Sequence, residues 1–221
     1  MGLPPIAPYP MPTEADVPPA EVAWTPDPRR AAVLVHDMQR YFMNGFAAGG
    51  SPATELVANI RRLLDAAHTL GMPVAYTAQP GSMTREQRGL LHDFWGPGMT
   101  ADPENRAIID EIAPVGEDSV LTKWRYSGFH RTGLAGLLAG QGRDQLIICG
   151  VYAHIGCLMT ACDAFTLDVQ PFFIADALGD FSRDRHLLAL RYAAQRCAMV
   201  CTTSQLLGQL SQPLAAAGTR R

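Results

Sequence analysis

The sequence predicts an α/β protein: a three-layer α/β/α sandwich around a mostly parallel, six-stranded, Rossmann-like sheet. Three observations predict it. Short apolar runs with β-branched members recur at 31–35, 146–149 and 171–175, and such runs read as strands buried on both faces. Segments with apolar residues at helical spacing separate them, which implies right-handed crossovers within a parallel sheet. Polar residues follow the carboxyl ends of the first four strands, where open α/β sheets bind their ligands.

Residues 1–29 hold prolines at 4, 5, 8, 10, 12, 18, 19, 26 and 28, so no helix of any length forms there. An extended arm on the domain or on a partner subunit, docked through Ile6, Tyr9, Val17, Val22 and Trp24, competes with a disordered tail. The domain proper spans 30–210 and opens on the first strand, 31–35, which runs straight into His36-Asp37. Ser51-Pro52 reads as an N-cap and first helical residue, and apolar spacing carries that helix to Leu70, with Gly71 as its stop. Residues 73–78 form the second strand and open into a long loop, 79–100, carrying Gln79, Arg88 and the Phe94-Trp95-Gly96 cluster. A loop of that length is functional or disordered, and its aromatics argue for function. A short helix at 105–112 precedes a third strand at 119–122, which ends at Lys123. A helix at 133–139 leads to the fourth strand, 145–149, and the turn Tyr152-Ala153-His154-Ile155-Gly156. Then come a helix at 157–167, a strand at 171–175, a helix at 183–197 and a strand at 198–202; residues 211–221 read as a flexible tail.

At 221 residues, 48% hydrophobic and 18% charged, the chain suits one globular unit, and its net charge of -3 gives no pull toward nucleic acid or an anionic membrane. No apolar run approaches the ~20 residues of a membrane span, and the start MGLPPIAPYPMP has no signal-peptide pattern. The 5 Cys, at 149, 157, 162, 197 and 201, are odd in number and lack Cys-x-x-Cys spacing. Reduced thiols and a cytoplasmic location are expected. No metal or cofactor is expected, because the 6 His show no HExxH spacing and Gly150 and Gly156 make no GxGxxG.

Asp37 with Lys123 is an acid–cation pair suited to proton transfer, or a structural ion pair at a strand end. Gln79 and Arg88 could clamp a carboxylate, and Trp95 and Tyr152 could wall a ring. Cys157, at the start of a helix, is a candidate nucleophile with a lowered thiol pKa, or else an inert buried thiol.

The motifs VHDMQRYF, YTAQPGSMT, DFWGPGM, LTKWRYSGFHR, CGVYAHIGCLMTACDAF and IADALGDFSRD resemble the isochorismatase family of the cysteine-hydrolase superfamily. The resemblance covers residues 3–208 and leans toward its phenazine- and siderophore-pathway branch. It implies a small-molecule hydrolase that removes the enolpyruvyl group of isochorismate or 2-amino-2-deoxyisochorismate, and a homodimer. The superfamily's amidases use Asp, Lys and a Cys six positions after the glycine that ends strand four. Here that count from Gly150 reaches Gly156, with Thr160 and Asp163 in register and Cys157 one residue out. The metal-binding histidines of nicotinamidases have no counterpart. By resemblance, Asp37 is the general acid, Lys123 orients it and balances its charge, and Gly156 makes room where a cysteine would intrude. Gln79, Arg88 and Tyr152 would hold carboxylates, Phe42 and Trp95 would exclude water, and a cis peptide would precede Tyr152. An aspartic acid of ordinary strength is only about 0.1% protonated at pH 7, a deficit of roughly 4 kcal/mol. Substrate carboxylates in a closed pocket would offset it. A thiol amidase of nicotinamidase type using Cys157, and a non-catalytic partner of a biosynthetic carrier protein, are the competing readings.

Overall fold

In the computed structural model, which describes residues 3–212, six parallel strands form one sheet in the order β3-β2-β1-β4-β5-β6. They are β1 (Ala31–His36), β2 (Val74–Ala78), β3 (Ser119–Thr122), β4 (Gln145–Val151), β5 (Gln170–Gly179) and β6 (Met199–Cys201). Chain direction across the sheet reverses at β1: the first half of the fold spreads to one side, the second half to the other. Loops therefore part at the carboxyl ends of β1 and β4 and leave a crevice there, the usual ligand site of doubly wound sheets.

β1 and β4 are buried along their whole length, as central parallel strands must be. Alternate residues feed opposite layers: Val33 and Val35 pack with helix α2 (Ala53–Thr69), whereas Ala32 and Leu34 pack against α6 (Leu134–Gly140), α7 (Leu158–Thr166) and α8 (Arg183–Arg196). A Cβ on Gly150 (φ +112) would lie 2.2 Å from the His36 carbonyl oxygen, so only glycine lets β4 approach β1 this closely.

The arm is ordered on its own domain. The Ile6 amide donates to the Gly45 carbonyl at 2.7 Å. The Tyr9 hydroxyl accepts from the Asp180 amide at 2.8 Å and lies 3.2 Å from His186 Nδ1. The arm also alters a helix start. Ser51 Oγ accepts from the Met11 amide instead of capping, Ser51–Pro52 is cis, and α2 begins at Ala53.

Other differences from the sequence expectations have local causes. The expected 79–100 loop contains two short helices, α3 (Arg85–Arg88) and α4 (Leu91–Trp95), the first started by a Thr84/Gln87 capping box. The expected helix at 105–112 is divided into α5 (Pro103–Arg106) and a 3₁₀ turn (Asp110–Ile112). Residues between them are drawn out to pair with the segment after β1: the Ile109 amide donates to the Met38 carbonyl at 3.1 Å, and the Arg40 amide to Ala107 at 2.8 Å. That segment itself forms a short helix, α1 (Arg40–Met43). β5 continues past residue 175 because its register against β4 shifts between Ile148 and Gly150, which carries it on to Gly179. A last helix, α9 (Thr203–Leu210), follows a Thr202/Gln205 capping box. Of the expected tail, Ser211 and Gln212 lie in a turn and the rest falls outside the described residues. No helix among the described residues is long and apolar enough to cross a membrane.

Candidate active site

Asp37 is the residue immediately after β1, in a left-handed conformation (φ 52) that aspartate tolerates better than most side chains. Its amide donates to Thr77 Oγ1 at 3.1 Å, and that hydroxyl donates back to Asp37 Oδ1 at 2.7 Å. Lys123, one residue past β3, donates from Nζ to Asp37 Oδ2 at 2.7 Å. Both partners are nearly sealed from solvent, at 5% and 2% exposure. A buried pair of this kind holds its geometry because removing either member strands the other's charge.

The pair lines a cavity of about 460 Å³ over the β1–β4 crevice. All eight sequence candidates border it: Asp37, Phe42, Gln79, Arg88, Trp95, Lys123, Tyr152 and Gly156. Their contacts within the chain differ from one to the next. Arg88 is only 6% exposed; its Nε donates to the Gly96 carbonyl at 3.0 Å and its Nη1 to Gln79 Oε1 at 3.1 Å. Burial pulls its guanidinium below the ordinary range, and the groups acting on it are Tyr41, Tyr126 and Arg125. Among the described residues no carboxylate pairs with it. A buried cation without a carboxylate partner is costly unless an anion arrives. Gln79 therefore aims Arg88, its own amide donating to Gln39 Oε1 at 2.7 Å.

Tyr152 presents its ring to the cavity, since its hydroxyl donates to the Phe42 carbonyl at 2.8 Å. The ring stacks on Phe181 at 4.1 Å, and Phe181 on Trp95 at 6.0 Å. Trp95 Nε1 in turn donates to the Tyr126 hydroxyl at 2.9 Å. The Val151–Tyr152 peptide is cis, as the family resemblance implied. It opens a π-helical turn (Ala153–Cys157), fixed by the fully buried Asp180, which accepts from the His154 amide at 2.7 Å and from His154 Nδ1 at 2.6 Å.

At two positions the structure decides between the readings the sequence leaves open. Cys157 is no activated thiol. It is fully buried within the apolar cluster of α6, α7 and α8, away from the cavity lining, and burial raises its pKa far above the ordinary value. Desolvation outweighs any helix-terminus effect on the thiolate. Cys157→Ala is expected to keep kcat within about threefold of wild type, and iodoacetamide is expected to leave the native protein active; thiol-dependent inactivation would contradict this. The second position is Gly156. A Cβ there would point at His36, 2.2 Å from its Cε1, and so the space beside Gly156 belongs to an imidazole.

His36, Thr77, Tyr126 and Phe181 are site residues to which the sequence assigned no role. His36 is completely buried, with Nδ1 2.8 Å from the Val151 carbonyl oxygen and Nε2 3.3 Å from that of Tyr126. Burial pushes it down to about 4, against Asp37, which favours its charged form, and with Lys123, which opposes it. The imidazole is neutral near pH 7, and the shorter contact assigns its proton to Nδ1. His186, facing Asp180, Arg183 and Asp16, is likewise pushed down to about 4 by burial. The unfolded chain binds these protons near the ordinary pKa of about 6.5. Stability is thus fully present above pH 6.5 and is lost as pH falls toward 4, at about 1.4 kcal/mol per pH unit for each histidine. The urea midpoint is expected to fall markedly from pH 7 to pH 5; an unchanged midpoint would contradict the burial of both rings.

A doubly wound α/β sheet carries an acid–lysine pair and a buried guanidinium in one cavity at its carboxyl edge, an arrangement suited to a small anionic substrate. The isochorismatase domain family matches residues 31–205, and the chain belongs to that family. It is 56% identical over 210 residues to an isochorismatase of Bacillus subtilis, covering 95% of this chain and 67% of that one. Identity is 52% to the phenazine biosynthesis protein PhzD of Pseudomonas fluorescens, across 93% and 99% of the two chains. It is 48% to enterobactin synthase component B of Escherichia coli, across 94% and 73%. Among solved structures, a cysteine hydrolase from Pseudomonas syringae superposes with a TM-score of 0.78 at 25% identity, covering 87% and 97%.

Proposed function

We propose that this protein hydrolyses the vinyl ether of isochorismate or 2-amino-2-deoxyisochorismate, releasing pyruvate and a trans-dihydroxy- or amino-hydroxy-cyclohexadiene carboxylate. The observation that carries the reading is a sealed carboxyl–lysine pair sharing one cavity with a buried, carboxylate-free guanidinium. That combination suits an anionic substrate that needs a proton and no nucleophile. The relatives' names, an isochorismatase, a phenazine biosynthesis protein and an enterobactin synthase component, support the same choice.

Asp37 delivers its proton to the enolpyruvyl methylene carbon, which converts the vinyl ether to an oxocarbenium ion. Water adds to that cation, the resulting hemiketal collapses to pyruvate and the ring alcohol, and the water's proton returns to Asp37. Thr77 and Lys123 fix the carboxyl group by one oxygen each and leave its other lone pairs for the cavity. Lys123 stabilises the carboxylate left after donation. Arg88, aimed by Gln79, takes a substrate carboxylate, and the faces of Phe42, Trp95, Tyr152 and Phe181 enclose the ring and limit water to the reacting molecule.

The test is pyruvate release, coupled to lactate dehydrogenase, on isochorismate, its 2-amino analogue and chorismate in parallel. Turnover of one or both of the first two is expected; release from none would end this reading.

A cytoplasmic homodimer completes the proposal. Five free thiols suit a reducing compartment. The exposed Phe165, Leu167, Leu188 and Tyr192, around α7 and α8, offer apolar surface that a second copy would cover. A monomer mass by light scattering would contradict the dimer.

A further inference from the structure

The mechanism above makes no use of His36, although its buried ring lies beside the acid. Its Nδ1 lies 3.8 Å from Asp37 Oδ2, too far for a hydrogen bond. Its Nδ1–H donates instead to the Val151 carbonyl on β4, and its Nε2 edge packs 3.3 Å from the Tyr126 carbonyl oxygen beyond β3. Those carbonyls belong to the two segments that bring Tyr152, Gly156, Lys123 and Tyr126 to the cavity. The imidazole stands behind that wall and spans three strands' ends at once.

Gly156 is the other half of the arrangement. Its φ is not in the left-handed region, and so the backbone at 156 suits any residue. What excludes a side chain is the ring: a Cβ would meet His36 Cε1 at 2.2 Å, Nε2 at 2.9 Å and Nδ1 at 3.1 Å. The ring cannot swing aside as the end of a flexible chain would, because the Val151 carbonyl holds its Nδ1–H and the imidazole is completely buried in a packed interior. We infer that His36 is a positioning residue for the reaction and that Gly156 is its steric complement, the imidazole occupying the side-chain space of position 156. This rests on the vinyl-ether reading of the site. The glycine then does two things together. It removes the superfamily's nucleophile position, and it admits a neutral ring that sets the β4 turn against the Lys123–Tyr126 segment. Thiol chemistry could not be restored at 156 without first removing the histidine.

The test is a double-mutant cycle of wild type, Gly156→Ala, His36→Ala and the double variant, with His36→Asn as a fourth variant. Asparagine can still donate to the Val151 carbonyl, does not titrate and is smaller than the ring. Each protein is assayed for kcat and KM in pyruvate release and for its thermal midpoint. His36→Ala is expected to lower kcat about 100-fold with KM changed less than about threefold, because misplacement of about 1 Å costs that much. Gly156→Ala is expected to cost about 100-fold in the presence of His36 and less than about threefold on top of His36→Ala, since the two share one volume. His36→Asn is expected to recover at least about tenfold of the kcat lost in His36→Ala, with the wild-type KM. Equal costs of Gly156→Ala in both backgrounds, a wild-type kcat for His36→Ala, or an asparagine variant no better than alanine would each overturn the inference. Should His36→Ala fail to fold, the comparison of His36→Asn with wild type in each residue-156 background decides in the same way. A wild-type protein that releases no pyruvate would instead overturn the reading of the reaction itself.

Discussion

Asp37→Asn is expected to lower kcat for pyruvate release roughly 10³-fold, the scale of a lost general acid. The amide keeps the shape of the carboxyl and still accepts from Lys123, but has no proton to give to carbon. KM is expected to change little, because Arg88 and Gln79 remain in place. The variant is also expected to be less stable by about 3 kcal/mol, since Lys123, at 2% exposure, loses its only carboxylate among the described residues. Steady-state kinetics with circular dichroism on the same sample separates the two effects. A kcat within tenfold of wild type on a folded variant would remove Asp37 from proton transfer.

Arg88→Leu is expected to act in the opposite sense on binding and on stability. Removing one member of a buried charge pair formed with substrate costs 2–5 kcal/mol, and kcat/KM is therefore expected to fall about 10²–10³-fold, chiefly through KM. The unliganded protein, by contrast, gains from losing a buried guanidinium that no carboxylate balances among the described residues, set against two hydrogen bonds to Gly96 and Gln79. Its melting temperature is expected to stay level or rise. A large loss of stability with KM unchanged would make Arg88 a structural residue.

The sheet was legible because its strands announce themselves locally. Burial on both faces writes a wholly apolar run, and 31–35 and 146–149 are such runs. The acid and the lysine were legible for a related reason: each stands directly after a strand, and parallel order brings those ends together. Gly156 was found by register from Gly150, yet its physical meaning was hidden. It depends on His36, 120 positions away in sequence but in contact across the crevice. His36 itself reads as an unremarkable neighbour of Asp37, because what surrounds it is backbone carbonyl, which carries no sequence signal. Phe181 was missed because β5 was expected to stop near 175, and the register shift that carries it to Gly179 leaves no mark in composition. The short helices α3 and α4 were hidden inside a loop whose length alone was visible, although the Thr84/Gln87 cap was there to be read. So was Thr202/Gln205, which starts α9. Cys157 stayed open between two readings for the most general reason: a helix start suggests an acidic thiol, and burial, which sequence position does not report, reverses the sign and selects the inert one.

The central claim is protonation at carbon, with water attacking the pyruvyl carbon and no covalent protein adduct. A single turnover of isochorismate in ¹⁸O-enriched water, followed by mass analysis of the ring product and the intact protein, tests it most directly. The account predicts that the ring alcohol retains its original oxygen and that the protein mass is unchanged. Label in the ring hydroxyl, or an adduct mass on the protein, would contradict it.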